Sequence, residues 1–248
     1  MEGPSVPAAE RTLDVLEAFR AAQRPLSLSE LARLARIPVS TCHGLVRTLE
    51  RRGILYYPTQ RETYPTRKLF DIAREIDAND PIARRLGPLL IPLRDATNET
   101  VILGMRQGDA VLYLLVLDSP QIVRYTARAG EYKPLHSSSI GKVLLGVMTD
   151  EALDAWLAGR DLPRVTEKTI TSARRLKREL EESRRRGYYV TRGENVTDVM
   201  AIAAPALAGS VQLAVAIAGP LHRMEPAERK YVARLAETVR AIEEHPGG

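Results

Sequence analysis

The stretch from Leu26 to Thr48, LSLSELARLARIPVSTCHGLVRT, predicts two short helices joined by a tight turn. Ser27 or Ser29 can cap the first helix, because a serine hydroxyl accepts a hydrogen bond from the free backbone N–H groups there. The turn passes through Arg36–Pro38, and the second helix begins near Val39. Apolar residues recur at helical spacing in both segments: Leu28, Leu31, Leu34 and Ala35, then Leu45, Val46 and Leu49. This arrangement is typical of a helix-turn-helix.

The outward side of the second helix carries hydroxyl, imidazole and guanidinium groups, which are the groups that contact phosphates and base edges. In helix-turn-helix proteins the second helix enters the major groove of DNA. The candidate DNA-binding residues on this helix are Ser40, Thr41, His43, Arg47 and Arg51. An ordinary helical hairpin of a protein core is the alternative, because pairs of short amphipathic helices are common.

A β-hairpin is predicted directly after the second helix, and a hairpin in that place is typical of a wing. Gly53 ends the helix, Ile54–Tyr57 and Glu62–Tyr64 form the strands, and the turn between them carries Arg61. Arg61 is therefore a sixth candidate DNA contact, to a phosphate or to the minor groove. The pattern favours DNA binding over a core hairpin.

Another amphipathic helix is predicted before the pair, from about Glu10 to Ala22, with Leu13, Leu16 and Phe19 facing inward. Residues 1–9 are expected to lack a fixed structure. Together these elements predict a winged helix-turn-helix DNA-binding domain over residues 10–66.

The composition fits a globular protein with a nucleic-acid partner. Of the 248 residues 44% are hydrophobic, which is enough for a packed core, and the net charge is +5. A mild basic excess suits DNA, although many other proteins share it. The single cysteine, Cys42, excludes an internal disulfide and fits a reducing cytoplasm. No signal peptide and no apolar run of membrane-spanning length is present, so we expect a cytoplasmic protein without a membrane partner.

Residues 67–78 predict a linker helix, because an amphipathic pattern runs without interruption from Arg67 to Asp77. Its apolar side is larger than a lone exposed helix should show, which indicates packing on a partner. That side consists of Leu69, Phe70, Ile72, Ala73 and Ile76. Asn79–Pro81 then breaks the helix, and Pro81 suits the first position of a new helix, capped by Asp80, that runs to about Thr97.

From Thr100 onward the pattern predicts a second domain of strands and helices, so that residues 79–245 form an α+β unit. Strands are predicted at Val101–Met105, Val111–Leu117, Ile122–Ala127, Tyr188–Val190, Ala201–Ala206 and Val211–Ala218. Helices are predicted from a cap at Ser137 or Ser138 to about Met148, then at Asp150–Leu157, Ser172–Arg186 and Pro226–Glu244. The fold class is therefore α+β, with a winged helix-turn-helix, a linker helix and a C-terminal domain.

Motifs from both halves resemble the isocitrate-lyase-regulator (IclR-type) family of bacterial transcription factors, from about Arg11 to Glu244. In the DNA-binding half they are residues 26–32, 40–41 and 47–53. In the second half they are residues 99–101, 134–142, 186–188, 202–205 and 219–220. No single motif decides the matter, but their order and spacing are specific.

The resemblance implies that the C-terminal domain is GAF-like and binds a small effector, commonly an organic acid or an aromatic catabolite. It also implies homodimers, often tetramers, on palindromic double-stranded operator DNA. Gly44 stands where the family often has Arg, so we expect either a different operator preference or a larger share of the contacts for His43 and Arg47. Tyr64–Arg67 replaces the common Tyr-x-Leu-Gly, so the joint between wing and linker can differ.

The effector pocket is expected, from the same resemblance, at Ser139, Ile140, Thr191, Ala201, Ala216 and Ala218. In members that respond to glyoxylate and pyruvate, the positions of Thr191, Ala201, Ala216 and Ala218 carry Asp, Cys, Ser and Ser. This chain has one hydroxyl and three methyl groups instead, whereas a small oxoacid needs several polar partners. We therefore expect an aromatic or other apolar-bodied effector that carries an acid or carbonyl group.

Further pocket residues are expected on both sides of this set. Met200 should add apolar wall. A carboxylate on the effector would need donors, and the candidates are the Ser139 hydroxyl, the backbone N–H groups of its helix, and Arg124 or Arg192. For each arginine the alternative is a solvated surface charge.

An enzyme with an appended DNA-binding domain is the competing hypothesis, and the residues give it little support. The chain has no Gly-x-Ser-x-Gly nucleophile elbow, so we predict no catalytic residue and no cofactor. The histidines lie far apart and Cys42 is alone, so no metal site is expected. We expect His136 to make a buried hydrogen bond and Cys42 to be a small buried side chain that fills space in the core. The basic run 174–186 is expected to form a solvated helix with glutamates interleaved among its basic residues.

Overall fold

The computed structural model describes residues 6–244, and the chain divides between Asp80 and Pro81 into two compact units. The first unit contains α1 (Pro7–Ala22), β1 (Leu26–Ser27), α2 (Leu28–Leu34), α3 (Val39–Arg51), β2 (Leu55–Tyr56), β3 (Glu62–Pro65) and α4 (Arg67–Ala78). Within the described part of the chain, no helix is long and apolar enough to cross a membrane.

The turn between α2 and α3 is fixed by local hydrogen bonds that the sequence encodes. The Ser27 hydroxyl accepts from the backbone N–H of Glu30, and the Glu30 carboxylate accepts in return from the Ser27 backbone N–H, 3.0 Å away. This capping box satisfies two donors that the helix itself leaves free. Arg36 then takes a left-handed conformation with φ of 54°, which turns the chain sharply before α3.

The core of the first unit confirms the predicted inward face of α3, because Val46 and Leu49 are buried. Cys42 is fully buried beside them, as its expected role as a filler requires. The inward face of α1 differs from the prediction. Leu13 is 61% exposed, and Val15, Ala18 and Phe19 are the buried residues. The helix starts at Pro7, inside the segment expected to lack structure, and the rest of that segment, residues 1–5, lies outside the described residues.

The predicted wing is present as a three-stranded antiparallel sheet in the order β1-β3-β2. Leu26 pairs with Thr63 and Tyr56 pairs with Tyr64, so the strand before α2 completes the wing. The Thr66 hydroxyl donates to the Gly53 carbonyl at 2.6 Å and closes the base of the hairpin. The following helix, α4, has the bounds that the amphipathic pattern predicted and contains no buried residue within the unit.

The second unit contains α5 (Pro81–Thr97), β4 (Thr100–Gln107), β5 (Ala110–Leu117), β6 (Tyr132–Pro134), α6 (Ser139–Gly146), α7 (Asp150–Leu157), α8 (Ala173–Arg186), β7 (Tyr189–Arg192), β8 (Val199–Ala208), β9 (Val211–Pro220) and α9 (Leu221–Glu244). The strands form one antiparallel sheet in the order β6-β5-β4-β9-β8-β7. Helices lie on both faces of this sheet, which gives the α+β, GAF-like architecture.

The strand predicted at Ile122–Ala127 is wrong. That segment is a loop, in which Ile122 is 95% exposed, and the edge of β5 pairs instead with β6. The β-branched residues of the segment indicated a strand, but the hydrogen-bonding edge that it would need is taken by Tyr132–Pro134. The loop is tied to the sheet at Tyr125, whose carbonyl accepts from the Thr100 hydroxyl at 2.6 Å.

Alternation along β8 and β9 divides the second unit into two cores, one on each face of the sheet. Ala203 and Ala216 face α6, α7 and α8. Met200 and Ile202 face α5 and α9. Because successive side chains of a strand point to opposite faces, the residues that share a face with Ala201 cannot include Met200.

Candidate nucleic-acid interface and effector cavity

Helix α3 presents the predicted DNA-binding residues on its solvent side. Ser40, His43, Arg47 and Arg51 are exposed, and Thr41 is half-buried. The spacing of these residues places them on one stripe of the helix, opposite the buried stripe. At the start of this stripe the helix N-terminus adds partial positive charge, which suits a phosphate.

The wing lies against the same helix. Tyr57 follows β2, and burial together with the Glu50 carboxylate raises the pKa of its hydroxyl, whereas Arg47 opposes the shift. The contact therefore brings the wing next to the part of α3 that carries Arg47. Arg61, the remaining predicted contact, is exposed in the turn of the wing. The candidate cations of helix and wing are therefore all exposed on the surface of the unit.

In the second unit, strand register builds the floor of a cavity. Thr191 pairs with Ala201, Ala201 with Ala218, and Ala218 with Thr100, so one row crosses β7, β8, β9 and β4. In the neighbouring row Ala216 pairs with Ile102. Small side chains at these positions leave space between the sheet and the helix layer above it.

Over this floor lies a cavity with about 360 Å³ of space between atoms, a figure that includes open solvent at its mouth. Its lining is mostly apolar and contains no lysine, arginine or carboxylate. The lining residues are Ile102, Tyr113, Tyr125, Ser138, Ser139, Thr191, Asn195, Val196, Val199, Ala201, Ala216 and Ala218.

Polar groups of the cavity fall into two sets. The Ser138 hydroxyl is committed, because it donates to the Pro134 carbonyl at 2.6 Å and accepts from the Gly141 N–H as the cap of α6. The hydroxyls of Ser139 and Thr191 have no hydrogen-bond partner among residues 6–244. Burial raises the pKa of Tyr113, and the nearby Tyr125 hydroxyl adds to the shift, so Tyr113 enters the cavity as a neutral phenol.

Five of the eight predicted effector residues line this cavity: Ser139, Thr191, Ala201, Ala216 and Ala218. Ile140 is buried in the adjoining core on the same face of the sheet. Met200 is a correction, because strand alternation places its side chain in the core on the opposite face. Arg124 is a second correction, because it is exposed in the loop and donates to the Gln121 carbonyl at 3.1 Å.

Arg192, the other candidate donor for a carboxylate, also points away from the cavity. It pairs with Glu228 at 2.5 Å, on the outer side of the strand that carries Thr191. Its role is that of a surface ion pair, which was the alternative considered from the sequence. Any acid group in the cavity must therefore be bound by hydroxyl, amide or backbone donors.

Several lining residues were not predicted, and some of them had a detectable signal. Val199 lies two residues before Ala201 on β8 and so shares its face. Tyr113 lies on a correctly predicted strand. Tyr125 fell in the segment wrongly predicted as a strand, and Asn195 and Val196 lie in a connection whose path depends on tertiary contacts.

The remaining candidate groups have structural partners. His136 is buried, and its Nε2 lies 2.9 Å from the Pro163 carbonyl oxygen, as expected from the sequence. Burial lowers the pKa of His136, which favours its neutral form. Within residues 6–244 no cluster of three or more histidine, cysteine or carboxylate side chains is arranged to hold a metal ion.

Two family models match this chain. The model described as the IclR helix-turn-helix domain matches residues 8–58, and the model described as the C-terminal domain of the bacterial transcriptional regulator IclR matches residues 76–244. The second match covers the cavity and every strand of its floor. It also covers more than half of the chain.

Known regulators match over nearly the whole length. The transcriptional regulator BhcR of Paracoccus denitrificans is 32% identical over 225 residues, which cover 89% of this chain and 80% of that protein. KdgR of Escherichia coli is 29% identical over 247 residues, covering 98% and 94%. A crystal structure of an IclR homolog from Microbacterium hydrocarbonoxydans, complexed with 4-hydroxybenzoate, superimposes with a TM-score of 0.79 at 26% identity, covering 96% of this chain and 98% of that one.

These relatives are transcription regulators, and none of them supports the alternative of an enzyme with an appended DNA-binding domain. The winged unit supplies the DNA-binding function, and the second unit supplies a cavity for a small molecule. The chain belongs to the IclR family of bacterial transcription regulators, in which a small-molecule effector controls the binding of DNA.

Proposed function

We propose that the effector of this regulator is a compact aromatic acid or carbonyl compound, bound in the cavity of the second unit. The observation that carries this proposal is the floor of the cavity, where Ala201, Ala216 and Ala218 supply only methyl groups and Thr191 supplies one hydroxyl. A short oxoacid would leave its polar atoms without partners on that floor, at a cost of about 1–3 kcal/mol for each. A single aromatic ring would cover it.

The cavity walls favour the same chemistry. Tyr113, Tyr125 and Ile102 line the cavity and offer aromatic and branched apolar surface against which a ring could pack. The Ser139 and Thr191 hydroxyls, free of protein partners among residues 6–244, can hydrogen-bond an acid or carbonyl group at the start of α6. The homolog complexed with 4-hydroxybenzoate supports this class of ligand by analogy.

For the DNA, we propose that α3 reads the major groove through Ser40, Thr41, His43 and Arg47, while Arg51 and Arg61 contact phosphates. The exposure of the arginines and of Ser40 and His43 supports this assignment. Phosphate contacts would make the affinity fall steeply with salt, whereas base contacts would set the sequence preference.

We further propose that the DNA-binding unit is a homodimer in the cytoplasm, able to form tetramers. One winged unit reads only a half-site, and a palindrome read with two-fold symmetry combines two weak halves. Helix α4 supports this proposal, because Phe70 is 57% and Ile76 is 69% exposed in the single chain. Such apolar surface is normally covered by a partner.

Calorimetry on the full-length protein tests the effector class. The panel contains benzoate, 4-hydroxybenzoate and benzaldehyde as aromatic compounds, and pyruvate and glyoxylate as short oxoacids. We expect at least one aromatic compound to bind and both oxoacids to bind more weakly. Tighter binding of pyruvate or glyoxylate than of every aromatic compound would contradict the proposed class, but it would leave the family assignment unchanged.

A further inference from the structure

The connection between β7 and β8, residues Gly193–Asp198, forms a strap over the cavity. Asn195 and Val196 of the strap line the cavity that the alanine floor creates. At both ends the chain takes left-handed conformations, with φ of 77° at Gly193 and 61° at Asp198, so the strap turns sharply away from the strands and back. The strap therefore forms part of the cavity wall.

A buried lysine forms an ion pair with this strap. Lys142 of α6 is fully buried, and its ammonium lies 2.9 Å from Oε1 and 2.7 Å from Oε2 of Glu194 in the strap. A second carboxylate, Glu179 of α8, lies 2.9 Å from the same ammonium. Glu194 carries the larger share of the buried contact, because its side chain is 11% exposed and that of Glu179 is 28% exposed.

Neutral hydrogen bonds fix the strap backbone around this ion pair. The Thr169 hydroxyl donates to the Glu194 carbonyl at 2.7 Å, and the Thr166 hydroxyl donates to the Gly193 carbonyl at 2.6 Å. The Ser137 hydroxyl donates to Oδ1 of Asn195 at 3.3 Å, and no partner among residues 6–244 accepts from the side-chain amide nitrogen of this cavity-lining residue. Polar side chains of α6, of the loop before α8 and of the strap thus converge on one segment.

The outer side of the strap borders a groove whose lining is mostly polar, with Ile170 as its apolar member. Glu194 borders this groove, which is also lined by Arg164, Lys168, Arg175 and Arg192. Solvent on that side gives the strap space to move outward. Its closed position therefore depends on its polar anchors, and the ion pair is the most buried of these.

We propose that Lys142 is a positioning residue, which through Glu194 holds the Gly193–Asp198 strap closed over the effector cavity with Asn195 facing inward. Breaking a buried ion pair leaves an uncompensated charge, so a site that depends on one is sensitive to the loss of either partner. In this account Glu179 balances the charge of Lys142 but does not hold the strap. The inference rests on the cavity being the effector site, as proposed above.

The two carboxylates provide a matched test that needs no effector. A cysteine introduced on the cavity floor by Ala216→Cys reports opening of the strap through its rate of alkylation by N-ethylmaleimide. Cys42, the other cysteine of the sequence, is buried in the first unit and serves as the internal reference. Peptide mass spectrometry of the full-length protein separates the two labelling rates.

In this background, Glu194→Ala is expected to raise the labelling rate of the introduced cysteine by about tenfold or more, because the open state of a segment becomes more populated when its anchor is lost. Glu179→Ala is expected to change the rate less than about twofold, since Glu194 still binds Lys142. An equal rise in both variants, or no rise in Glu194→Ala, would overturn the proposal. Labelling of Cys42 should not change in either variant.

If Glu194→Ala does not fold, as judged by circular dichroism, the pair Glu194→Asp and Glu179→Asp carries the test, because both keep the charge and shorten only the reach. The same asymmetry is expected with a smaller rise, and its absence would overturn the proposal. Because no ligand enters this experiment, a failure of the strap is distinguished from a failure of the proposed effector class, which the calorimetric panel decides.

Discussion

The winged unit and the cavity of the second unit are built from opposite kinds of residue. On α3 the candidate DNA-binding side chains are polar, and all of them except the half-buried Thr41 are exposed. In the cavity the decisive positions are short and apolar, and Ala216 and Ala218 act through the volume that they leave empty. The candidate DNA surface therefore depends on the functional groups that its side chains carry. The cavity depends instead on the small size of the side chains on neighbouring strands.

Filling the cavity should weaken effector binding without changing operator binding, and this is the largest effect that we expect. Ala216→Leu places three further carbon atoms on the floor, so binding of any aromatic acid of the panel should weaken by about two orders of magnitude. Operator binding without effector should remain, because the change lies in the other unit. Calorimetry and fluorescence anisotropy measure the two affinities. Undiminished aromatic-acid binding in a folded variant would remove Ala216 from the site.

A charge on the apolar side of α4 should have the next largest effect. Ile76→Glu is expected to weaken self-association by about tenfold to 100-fold, because the proposed dimer would bury this exposed residue and the variant would bury a charge instead. Ala78→Glu, on the opposite side of the same helix, introduces the same charge and serves as the control. Analytical ultracentrifugation gives both dissociation constants. If the wild-type protein is a monomer at micromolar concentration yet binds its operator tightly, the proposed dimer is wrong.

Removing one guanidinium from α3 tests the assignment of the DNA surface. Arg47→Ala should weaken operator binding by about 1–3 kcal/mol while the fold survives. Arg20→Ala removes an equally exposed arginine from α1 and should have a much smaller effect. Gel-shift titrations on an operator selected from random duplexes provide the comparison, and equal losses in the two variants would argue against Arg47 as a base contact.

The smallest expected effect concerns the glycine within α3. A Cβ atom at Gly44 would meet no atom within 4 Å, so Gly44→Ala should raise the free energy of unfolding of the winged unit by up to about 1 kcal/mol. Gly53→Ala is the contrasting control, because φ there is +70° and an alanine would be strained. Thermal unfolding measures both changes. A loss of stability in Gly44→Ala would contradict the prediction.

The same contrast explains what the sequence could predict. In the winged unit, periodicity on a single helix identifies both its buried and its exposed side, so the bounds of α3 and α4 and the exposure of Arg47 followed from the pattern. The sequence left Ser27 and Ser29 as alternative caps of α2, and the structure selects Ser27, whose capping box with Glu30 was not predicted. Leu13 was misplaced because the neighbouring apolar residues of α1 allow two overlapping stripes.

In the second unit, function depends on which strands are neighbours, and that information is not local. The positions of Ala201, Ala216 and Ala218 came from the family resemblance, but Met200 was assigned to the wrong face of its strand. Tyr125 lines the cavity from a loop whose residues favour a strand, so the sequence pattern did not identify it. The partners of Lys142 come from two separate segments, so only the folded chain shows that its charge is balanced.

The central claim is that the cavity of the second unit and the DNA surface of the first are thermodynamically coupled. Its most direct test is an operator titration of the full-length protein by fluorescence anisotropy, with and without the aromatic compound of the panel that binds most tightly. We expect a change of about 5- to 150-fold in the operator dissociation constant, in either direction, and the reciprocal change in the affinity for the compound when DNA is present. The Ala216→Leu variant should show neither change. Saturating binding of the compound with an unaltered operator dissociation constant would contradict the account.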